Sequence, residues 1–480
     1  MRSWTERSPA RVRPQVVRPL ELLHGRSFEL TGDGEATTYA AHLLASLGAR
    51  VRRAPGPADP DPDLDWARSG AMWLTGPRNG PPRLAPAALA SCARGALRAI
   101  RVLTGPASLR GLDGPALLGE RAVALGLRRA GSVAPGGSCR LLRAVDGWLA
   151  LNLARPDDVE LLPAWLCADR VGEPWNFAAN AVAKRPASEL VARARMIGLP
   201  AAVATAAPSS PPSWLEVTAC GPARSRGSLR PPRVLDLSSL WAGPLCASLL
   251  RLAGAHVVKL ESRSRPDGMR RGSRELFALL NGGKASAALD LQCERHLEWL
   301  RGLIARADIV IESSRPRALA QLGLHAEALV ERQVGLTWIS ITGYGRRDPA
   351  SGWVALGDDA AVAAGLALET GRELGFPLFC GDAIADPLTG LHATLAALAS
   401  WQSGGGRLVS LALRDVTAHA LVTTRHQGRA AVVRRRGSWE VHTSAGRAPV
   451  SRPRARSATI SPRAVGQDTA AVLRDWIGSC

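Results

Sequence analysis

The sequence predicts an α/β protein with a doubly wound, mostly parallel sheet, a small α+β domain and a shortened N-terminal copy of the large domain. Three observations lead to this fold class. A strand, a turn, a helix and a second strand follow one another from position 233 to 260. Further strand and helix signals alternate up to about position 421. The segment at 246–257 also has a counterpart at 40–51.

The large domain begins with the segment RVLDLSSLWAGPLCASLLRLAGAHVVKLE. Its apolar runs predict strands at 234–237 and 256–260 and a helix at 245–253. A turn is expected at Ala242-Gly243-Pro244, between the first strand and the helix. Because this turn lacks the G-x-G-x-x-G pattern of a dinucleotide site, hydride transfer is not the favoured chemistry.

The chain divides into five expected segments. They are a shortened copy of the large domain at 1–110, a small domain at 111–205, a linker at 206–232, the complete large domain at 233–430, and a tail with a closing helix at 431–480. The helix repeat, at a constant offset of 206 positions, indicates the shortened copy. A turn at Asp146-Gly147 between two strand-like runs marks the small domain. Stretches rich in Pro, Ser and Arg indicate the linker. A plain tandem of two domains is the alternative.

Composition favours a large enzyme of a reducing compartment. The chain has 480 residues, 46% of them hydrophobic, which is ample for buried cores. There is no run of 18 apolar residues and no apolar signal-peptide core, so we expect a cytoplasmic protein without membrane contact. The eight cysteines stand singly, without C-x-x-C pairs or Cys/His ligand spacing, which predicts free thiols and no metal site.

The formal net charge of +20 does not indicate nucleic-acid binding. Aromatic residues make up only 4% of the chain, too few to suggest base-stacking platforms, and the arginines are spread along the whole sequence. Of the 61 basic residues only three are lysines, Lys184, Lys259 and Lys284, so 58 are arginines. A basic face of this kind helps to attract polyanionic substrates.

Four further segments complete a pattern with the first strand–helix–strand unit. They are FALLNGGKASAALDL at 277–291, ADIVIESSRPRALAQLGL at 307–324, WISITGYG at 338–345 and GDAIADPLTGLHATLAALAS at 381–400. In this order they resemble the class III CoA-transferases, the family of formyl-CoA transferase and carnitine CoA-transferase. The resemblance implies an enzyme that moves CoA from an acyl-CoA donor to a carboxylic acid acceptor. It implies CoA as a substrate and no tightly bound cofactor.

The resemblance also implies a strip of residues that faces CoA. Its positions are Trp241, Ala242, Gly243, Lys259, Arg263, Asn281, Gly282, Gly283, Lys284 and Arg315. Basic side chains and exposed backbone amides are groups that bind phosphate. For the two lysines, an ordinary solvated position at a strand end is the alternative.

The catalytic residue is expected in the segment GWVALGDDAAVAAGLALETG at 352–371. In the family, an aspartate at the start of this helix attacks the thioester and forms a mixed anhydride. Asp358 fits that role if the preceding loop is one residue shorter than in the family, and Asp359 stays open as the nucleophile. A purely structural role, in which Asp358 caps the helix, is the alternative.

Two other functions stay open. Family members that racemise 2-methylacyl-CoA resemble G-H-D at this point and have a second aspartate on the later helix. Asp386 supplies that second carboxylate, but Leu356 or Gly357 stands in place of the histidine, which disfavours racemisation. A catalytically weak acyl-CoA-binding protein is the other alternative, because Gln321 stands where the family has an arginine. Family members are described as interlocked dimers, so we expect either a monomer acting as a fused pseudo-dimer or a homodimer.

Overall fold

The computed structural model describes residues 22–105, 108–168, 172–225, 230–426 and 430–478. The basic N-terminal stretch at 1–15, in which no signal peptide was expected, and Cys480 lie outside the described residues. The strands are β1 Ser27–Asp33, β2 Arg50–Ala58, β3 Cys139–Ala144, β4 Gly147–Asn152, β5 Ala201–Val203, β6 Glu216–Cys220, β7 Arg233–Asp236, β8 His256–Ser262, β9 Ala285–Leu289, β10 Ile309–Glu312, β11 Thr337–Thr342, β12 Arg407–Ala412, β13 Ala431–Arg435, β14 Ser438–Thr443 and β15 Gly446–Pro449.

The α-helices connect and cover these strands. They are α1 Glu35–Ser46, α2 Pro62–Ser69, α3 Leu89–Thr104, α4 Gly114–Leu117, α5 Glu120–Leu125, α6 Pro156–Glu160, α7 Leu162–Leu166, α8 Pro174–Val182, α9 Ala187–Ile197, α10 Ala242–Leu252, α11 Arg274–Asn281, α12 Glu294–Arg306, α13 Pro316–Ala320, α14 Ala326–Arg332, α15 Gly357–Ala363, α16 Leu366–Gly371, α17 Ala385–Gln402, α18 Leu413–Thr423 and α19 Thr469–Ile477. Within the described ranges, no helix is both long and apolar enough to cross a lipid bilayer.

A seven-stranded sheet forms the centre of the large domain, in the order β6-β12-β11-β10-β7-β8-β9. Val234 pairs in parallel with both Val257 and Ile309, and the remaining neighbours are also parallel except for β6. Its strands are rich in Val, Ile and Leu because helices cover both faces. The predicted α/β class with a doubly wound, mostly parallel sheet is confirmed.

The predicted linker is wrong in one part. Residues 206–232 were expected to be irregular, but Glu216–Cys220 form β6, which pairs antiparallel with β12 at the edge of the sheet. Its buried and partly exposed residues alternate, as in an edge strand. The Pro, Ser and Arg residues on either side of this short strand obscured its signal.

The start of the first helix also differs from the prediction. The helix α10 begins at Ala242, three positions before the expected Leu245, and Trp241 is its N-cap residue. Pro244 therefore lies in the first turn of the helix, where its missing N–H costs no hydrogen bond. The reversal of the chain falls earlier, between Asp236 and Trp241, and includes Leu240 at a left-handed φ of 70°.

Three smaller sheets surround the large domain. Strands β1 and β2 pair in parallel around α1, which packs on α3, and α3 packs on α17 of the large domain. Strands β3, β4 and β5 form an antiparallel sheet that carries α6 to α9 and makes up the small domain. The third sheet, β13 to β15, lies in the expected tail and was missed because its strands are short and rich in arginine.

Candidate active site

The candidate site lies at the carboxyl ends of β7 and β10. These neighbouring strands continue into connections on opposite sides of the sheet, and such a switch point opens a crevice for ligands. The loops that follow them meet there, because the Ser239 amide donates to Ser313 Oγ at 2.9 Å. The site therefore has the position expected for an open α/β sheet.

The first of these loops is held from inside the protein by Lys259. Its ammonium group is 1% exposed, donates to the Ser238 carbonyl at 2.8 Å and pairs with Asp267 at 3.0 Å. Asp267 in turn accepts from the Leu240 amide at 3.1 Å. The prediction that Lys259 faces a CoA phosphate is therefore wrong for this structure. Lys259 instead fixes the shape of the loop that precedes α10.

Lys284 is also internal. Its ammonium group is 2% exposed and binds Asp236 at 2.8 Å, the Pro244 carbonyl at 3.0 Å and Asn281 Oδ1 at 3.0 Å. Burial lowers the pKa of Lys284 to about 8, although the Asp236 carboxylate opposes this shift. The expected contact of Lys284 and Asn281 with phosphate is not made, since both side chains are used to hold β7 against α10.

The glycines of the expected strip have packing roles. A Cβ on Gly282 would collide with the Ile460 carbonyl of the C-terminal tail, and Gly283 has a left-handed φ of 80° beside the Arg251 guanidinium. A Cβ on Gly243 would collide with the Ser238 side chain. The turn at 281–284 is thus covered by the tail and does not line the crevice.

Basic side chains do line a cavity of about 870 Å³ between the small domain and the large domain. Five arginines contribute to it: Arg155, Arg195, Arg265, Arg315 and Arg317. Burial and the neighbouring arginines lower the pKa of Arg315, as expected where like charges gather. Of the predicted CoA-binding residues, Arg315 is the one in this cavity, and Arg263 is exposed on the chain just after β8.

Asp358 is the second residue of α15 and is 6% exposed. Its Oδ1 accepts a hydrogen bond from the Ala383 amide at 2.8 Å. No hydrogen bond from a described residue reaches its Oδ2. Burial, with the Asp382 carboxylate nearby, raises the pKa of Asp358 to about 7, and Arg121 opposes this rise. Asp358 therefore has one carboxylate oxygen that is held by a hydrogen bond and one that is free to react.

Asp359 has the capping role that was considered for Asp358. Its Oδ1 accepts from the Leu356 amide at 3.0 Å and from Asn152 Nδ2 at 3.0 Å, so it closes the first turn of α15 and joins it to β4 of the small domain. The side chain is fully buried, and burial raises its pKa to about 7. The alternative in which Asp358 caps the helix is wrong.

Asp386 lies beside the start of α15, where a Cβ on Gly357 would collide with its Oδ2. Burial raises the pKa of Asp386 to about 7, while Arg121 and the backbone of Ala242 lower it. The amide end of α10 is therefore directed at this carboxylate, and the three predicted catalytic aspartates form one buried cluster. The contact also explains why no side chain, such as the histidine of the racemases, fits at Gly357.

Two charged residues of this cluster were missed by sequence reasoning. Arg121 Nη1 pairs with Asp382 Oδ1 at 3.1 Å, and Asp382 is fully buried with its Oδ2 lacking any partner among the described residues. Asp382 precedes Asp386 by four positions, a spacing that could have drawn attention to it. Arg121 stands in the ordinary sequence ERAVAL, which gives no signal. Only the fold brings its guanidinium to the aspartates.

Comparison with known proteins identifies the segment that carries this cluster. Residues 229–450 match the sequence family described as CoA-transferase family III. This segment is therefore similar to CoA-transferase family III. Curated relatives of the domain include formyl-CoA:oxalate CoA-transferases from Escherichia coli O6:H1, at 31% identity, and Shigella boydii serotype 18, at 30% identity. Each alignment covers 194 residues, 38% of this chain and 47% of the relative, so the chain spans about half the length of these relatives.

Solved structures with partial similarity to the chain include Rv3272 from Mycobacterium tuberculosis, at 25% identity and a TM-score of 0.40 over 47% of this chain and 65% of that one. A CAIB/BAIF family protein from Brucella suis has 23% identity and a TM-score of 0.37, over 46% of this chain and 66% of that one. The predicted resemblance to class III CoA-transferases is confirmed by the family match. The matched segment contains Asp358, Asp359, Asp382 and Asp386, whereas Arg121 and Asn152 come from outside it.

Proposed function

We propose that this protein transfers CoA from an acyl-CoA to a carboxylic acid, with Asp358 as the nucleophile. The observation that carries the proposal is the state of the Asp358 carboxylate. One oxygen is fixed by the Ala383 amide, and the other has no hydrogen bond from a described residue. The Oδ2 of Asp359 also lacks a partner among the described residues, but Asp358 is 6% exposed whereas Asp359 is fully buried. A pKa raised to about 7 preserves the basicity of Asp358. A carboxylate is a weak nucleophile, so its reaction depends on close positioning of this kind.

The proposed reaction exchanges groups without an external oxidant or base. The Asp358 oxygen attacks the thioester carbonyl, the C–S bond breaks, and the CoA thiolate leaves a mixed anhydride on the enzyme. The thiolate then attacks the Asp358 carbonyl, which releases the donor acid and leaves CoA joined to Asp358 as a thioester. The acceptor carboxylate reverses these two steps and departs as the new acyl-CoA. Arg121 supports this series of steps because its positive charge stabilises the ionised form of Asp358.

The arginine-lined cavity supports CoA as the substrate. Three phosphate groups need several cations, and Arg195, Arg315 and Arg317 converge there from both domains, beside Arg155, which pairs with Asp158 at 2.5 Å. The loop that includes Trp353 lines the same cavity and leads directly into α15. A phosphate group bound among these arginines would leave the pantetheine arm to extend towards the crevice.

Trapping tests the proposal. The protein would be incubated with a series of acyl-CoAs in the presence of hydroxylamine, and the modified peptide would be identified by mass spectrometry. Because the relatives are formyl-CoA:oxalate CoA-transferases, formyl-CoA and oxalate are the first donor and acceptor to try. Asp358→Asn should lose the adduct and at least about 10³-fold in transfer rate. The matched variant Asp359→Asn should keep both. An adduct on Asp359, or full transfer by Asp358→Asn, would refute the assignment.

Proton transfer at the α-carbon of a 2-methylacyl-CoA is a second candidate function. It is favoured by Asp386 and Asp359, since a pKa of about 7 suits a general acid or base near neutral pH. Deuterium uptake from D₂O at that carbon, without CoA exchange, would support it. Binding of CoA without either reaction would instead point to an acyl-CoA-binding protein.

A further inference from the structure

The two strand–helix–strand units of the chain have the same register. Ser27 pairs with Arg50 in β1 and β2, and Arg233 pairs with His256 in β7 and β8, at an offset of 206 positions in both strands. The turns after the helices match as well. The Ala49 amide donates to the Leu44 carbonyl at 3.1 Å, and 206 positions later Ala255 donates to Leu250 at 3.0 Å.

A second pair of helices, α2 and α15, also corresponds, at an offset of 295 positions. Helix α2 begins at position 62 and α15 at 357, and they are followed by Gly70 and Gly365 with left-handed φ angles of 86° and 94°. On α3, a Cβ on Gly95 would lie 2.6 Å from the Ala36 carbonyl of α1. On α17, a Cβ on Gly390 would lie 2.9 Å from the Ala242 carbonyl of α10. Each glycine thus allows the same close helix contact in its own unit.

The sheet β13 to β15 repeats the sheet of the small domain. Both begin with a hairpin whose cross-strand pair is an arginine over a tryptophan, Arg143 with Trp148 at 5.5 Å and Arg434 with Trp439 at 5.9 Å. In both, the residue after the third strand donates its amide to that tryptophan's carbonyl. The distances are 2.8 Å from Ala204 and 2.9 Å from Val450.

Each small sheet packs on the large unit other than the one that it follows in the chain. Strands β4 and β5 pack on α15, and strands β14 and β15 pack on α2. The chain that leaves each sheet makes the same contact. A Cβ on Gly365 would lie 2.5 Å from Ala207 Cα, and a Cβ on Gly70 would lie 2.5 Å from Pro453 Cα. The equivalent helices α3 and α17 pack on each other, as equivalent elements do across a two-fold axis.

We infer that the chain is a fused pseudo-dimer with one complete and one reduced half, and that only the complete half holds an active centre. The complete half consists of residues 233–402 with the sheet of 139–207, and the reduced half of residues 27–104 with the sheet of 431–453. The offset rises from 206 to 295 between β2 and α2, so the reduced half is 89 residues shorter there. Its small sheet is 45 residues shorter, since the offset falls from 291 to 246 between the second and third strands.

The segments that the reduced half lacks correspond to those that form the arginine-lined cavity in the complete half. Their counterparts in the complete half contain β9, β10 and β11 and the helices α6 to α9. Arg155, Arg195, Arg315 and Arg317 all lie in them, and so does the switch point of the sheet. The reduced half therefore has neither the arginines nor the crevice that a second CoA molecule would need.

The reduced half has also lost the carboxylate cluster. The offset of 295 places Asp63 at the position of Asp358, but Leu64 replaces Asp359, Ala87 replaces Asp382 and Ser91 replaces Asp386. Asp63 itself is paired with His426 Nε2 at 3.0 Å. This residue keeps the position of the proposed nucleophile without the acidic residues and the arginine-lined cavity of the complete half.

Solution mass and CoA stoichiometry test the inference on the full chain. Light scattering should give the mass of one chain, 50.6 kDa, and calorimetric titration with CoA should give one site per chain. In the hydroxylamine experiment, which rests on the proposed function, the adduct should form once per chain on Asp358. Asp63→Asn should leave the adduct unchanged, while Asp358→Asn should remove it completely.

Several outcomes would overturn the inference. These are two CoA molecules per chain, an adduct on Asp63, or a homodimer that loses CoA binding when it dissociates. One CoA per monomeric chain without any adduct would refute the nucleophile but support the pseudo-dimer. If CoA does not bind at all, the proposed function fails, and the solution mass decides: a monomer supports the inference and an obligate homodimer overturns it.

Discussion

The rate of thioester attack should follow the ionisation of Asp358. Because burial raises its pKa to about 7, the reactive carboxylate is present above that pH and is lost as the pH falls through it. A single group with this pKa is about one tenth ionised at pH 6 and about nine tenths ionised at pH 8. The single-turnover rate of CoA release should therefore rise about tenfold over this interval.

Removal of Arg121 should move this profile to higher pH. Its positive charge lowers the pKa of Asp358, Asp382 and Asp386, so Arg121→Gln leaves three neighbouring carboxyl groups without a cation. A shift of one pKa unit corresponds to about 1.4 kcal/mol, and loss of a neighbouring buried charge should reach this magnitude. We expect the midpoint to rise by about one unit or more, with a lower rate at pH 7.

The assay is rapid-quench measurement of free CoA after mixing excess enzyme with acyl-CoA between pH 5.5 and 9. Arg301→Gln is the matched control, because Arg301 forms an exposed ion pair with Glu294, on α12. A rate that is constant from pH 6 to 8, or a midpoint that falls in Arg121→Gln, would refute the role assigned to the Asp358 carboxylate.

Four other predictions concern stability and binding. Lys284→Met should lower the free energy of unfolding by about 3–5 kcal/mol in urea titrations, since it leaves a buried carboxylate unpaired, while the exposed Lys184→Met should change it little. Asp359→Ala should cost about 1–2 kcal/mol through the lost cap, and an unchanged unfolding midpoint would contradict the capping role. Arg315→Ala should weaken CoA binding roughly tenfold in calorimetry without lowering the melting temperature; equal affinity would exclude it from the site. Burial lowers the pKa of His392 to about 3, so its contribution to stability should be lost as the pH falls below the ordinary value of 6.5. His392→Gln should therefore make the free energy of unfolding depend less on pH between pH 7 and pH 5. An unchanged slope in this interval would contradict the role assigned to His392.

The sequence was sufficient to predict the parts of the fold that depend on local pattern. The apolar runs at β7, β8 and β10 are continuous because these strands are buried on both faces, and they predicted a parallel sheet. Asp358 and Asp359 were selected because their segment resembles the class III CoA-transferases, and the choice of Asp358 as the nucleophile stays a prediction. Short strands with little apolar content, such as β6 and β13, gave no comparable signal.

The roles of charged residues could not be predicted in the same way. A lysine at a strand end has the same local sequence whether it faces solvent or, like Lys284, is enclosed by Asp236 and Asn281 from other elements. Whether such a lysine is exposed or enclosed depends on tertiary contacts, here between Lys284 and Asp236, which are 48 positions apart. Arg121 illustrates the same limit, since its partner Asp382 is 261 positions away. Single-sequence patterns carry no information on such pairs.

The buried contact between α1 and the helices of the large domain has a consequence for how the two halves stay together. Tyr39 and His392 share a hydrogen bond at 2.8 Å, and His42 meets His419 at 3.1 Å, so polar pairs lie within an otherwise apolar contact. Two separate chains would have to remain associated through this contact at the protein concentration found in the cell. A covalent connection replaces that dilution with a high effective concentration. Polar substitutions and large deletions on one side can then accumulate without the halves coming apart.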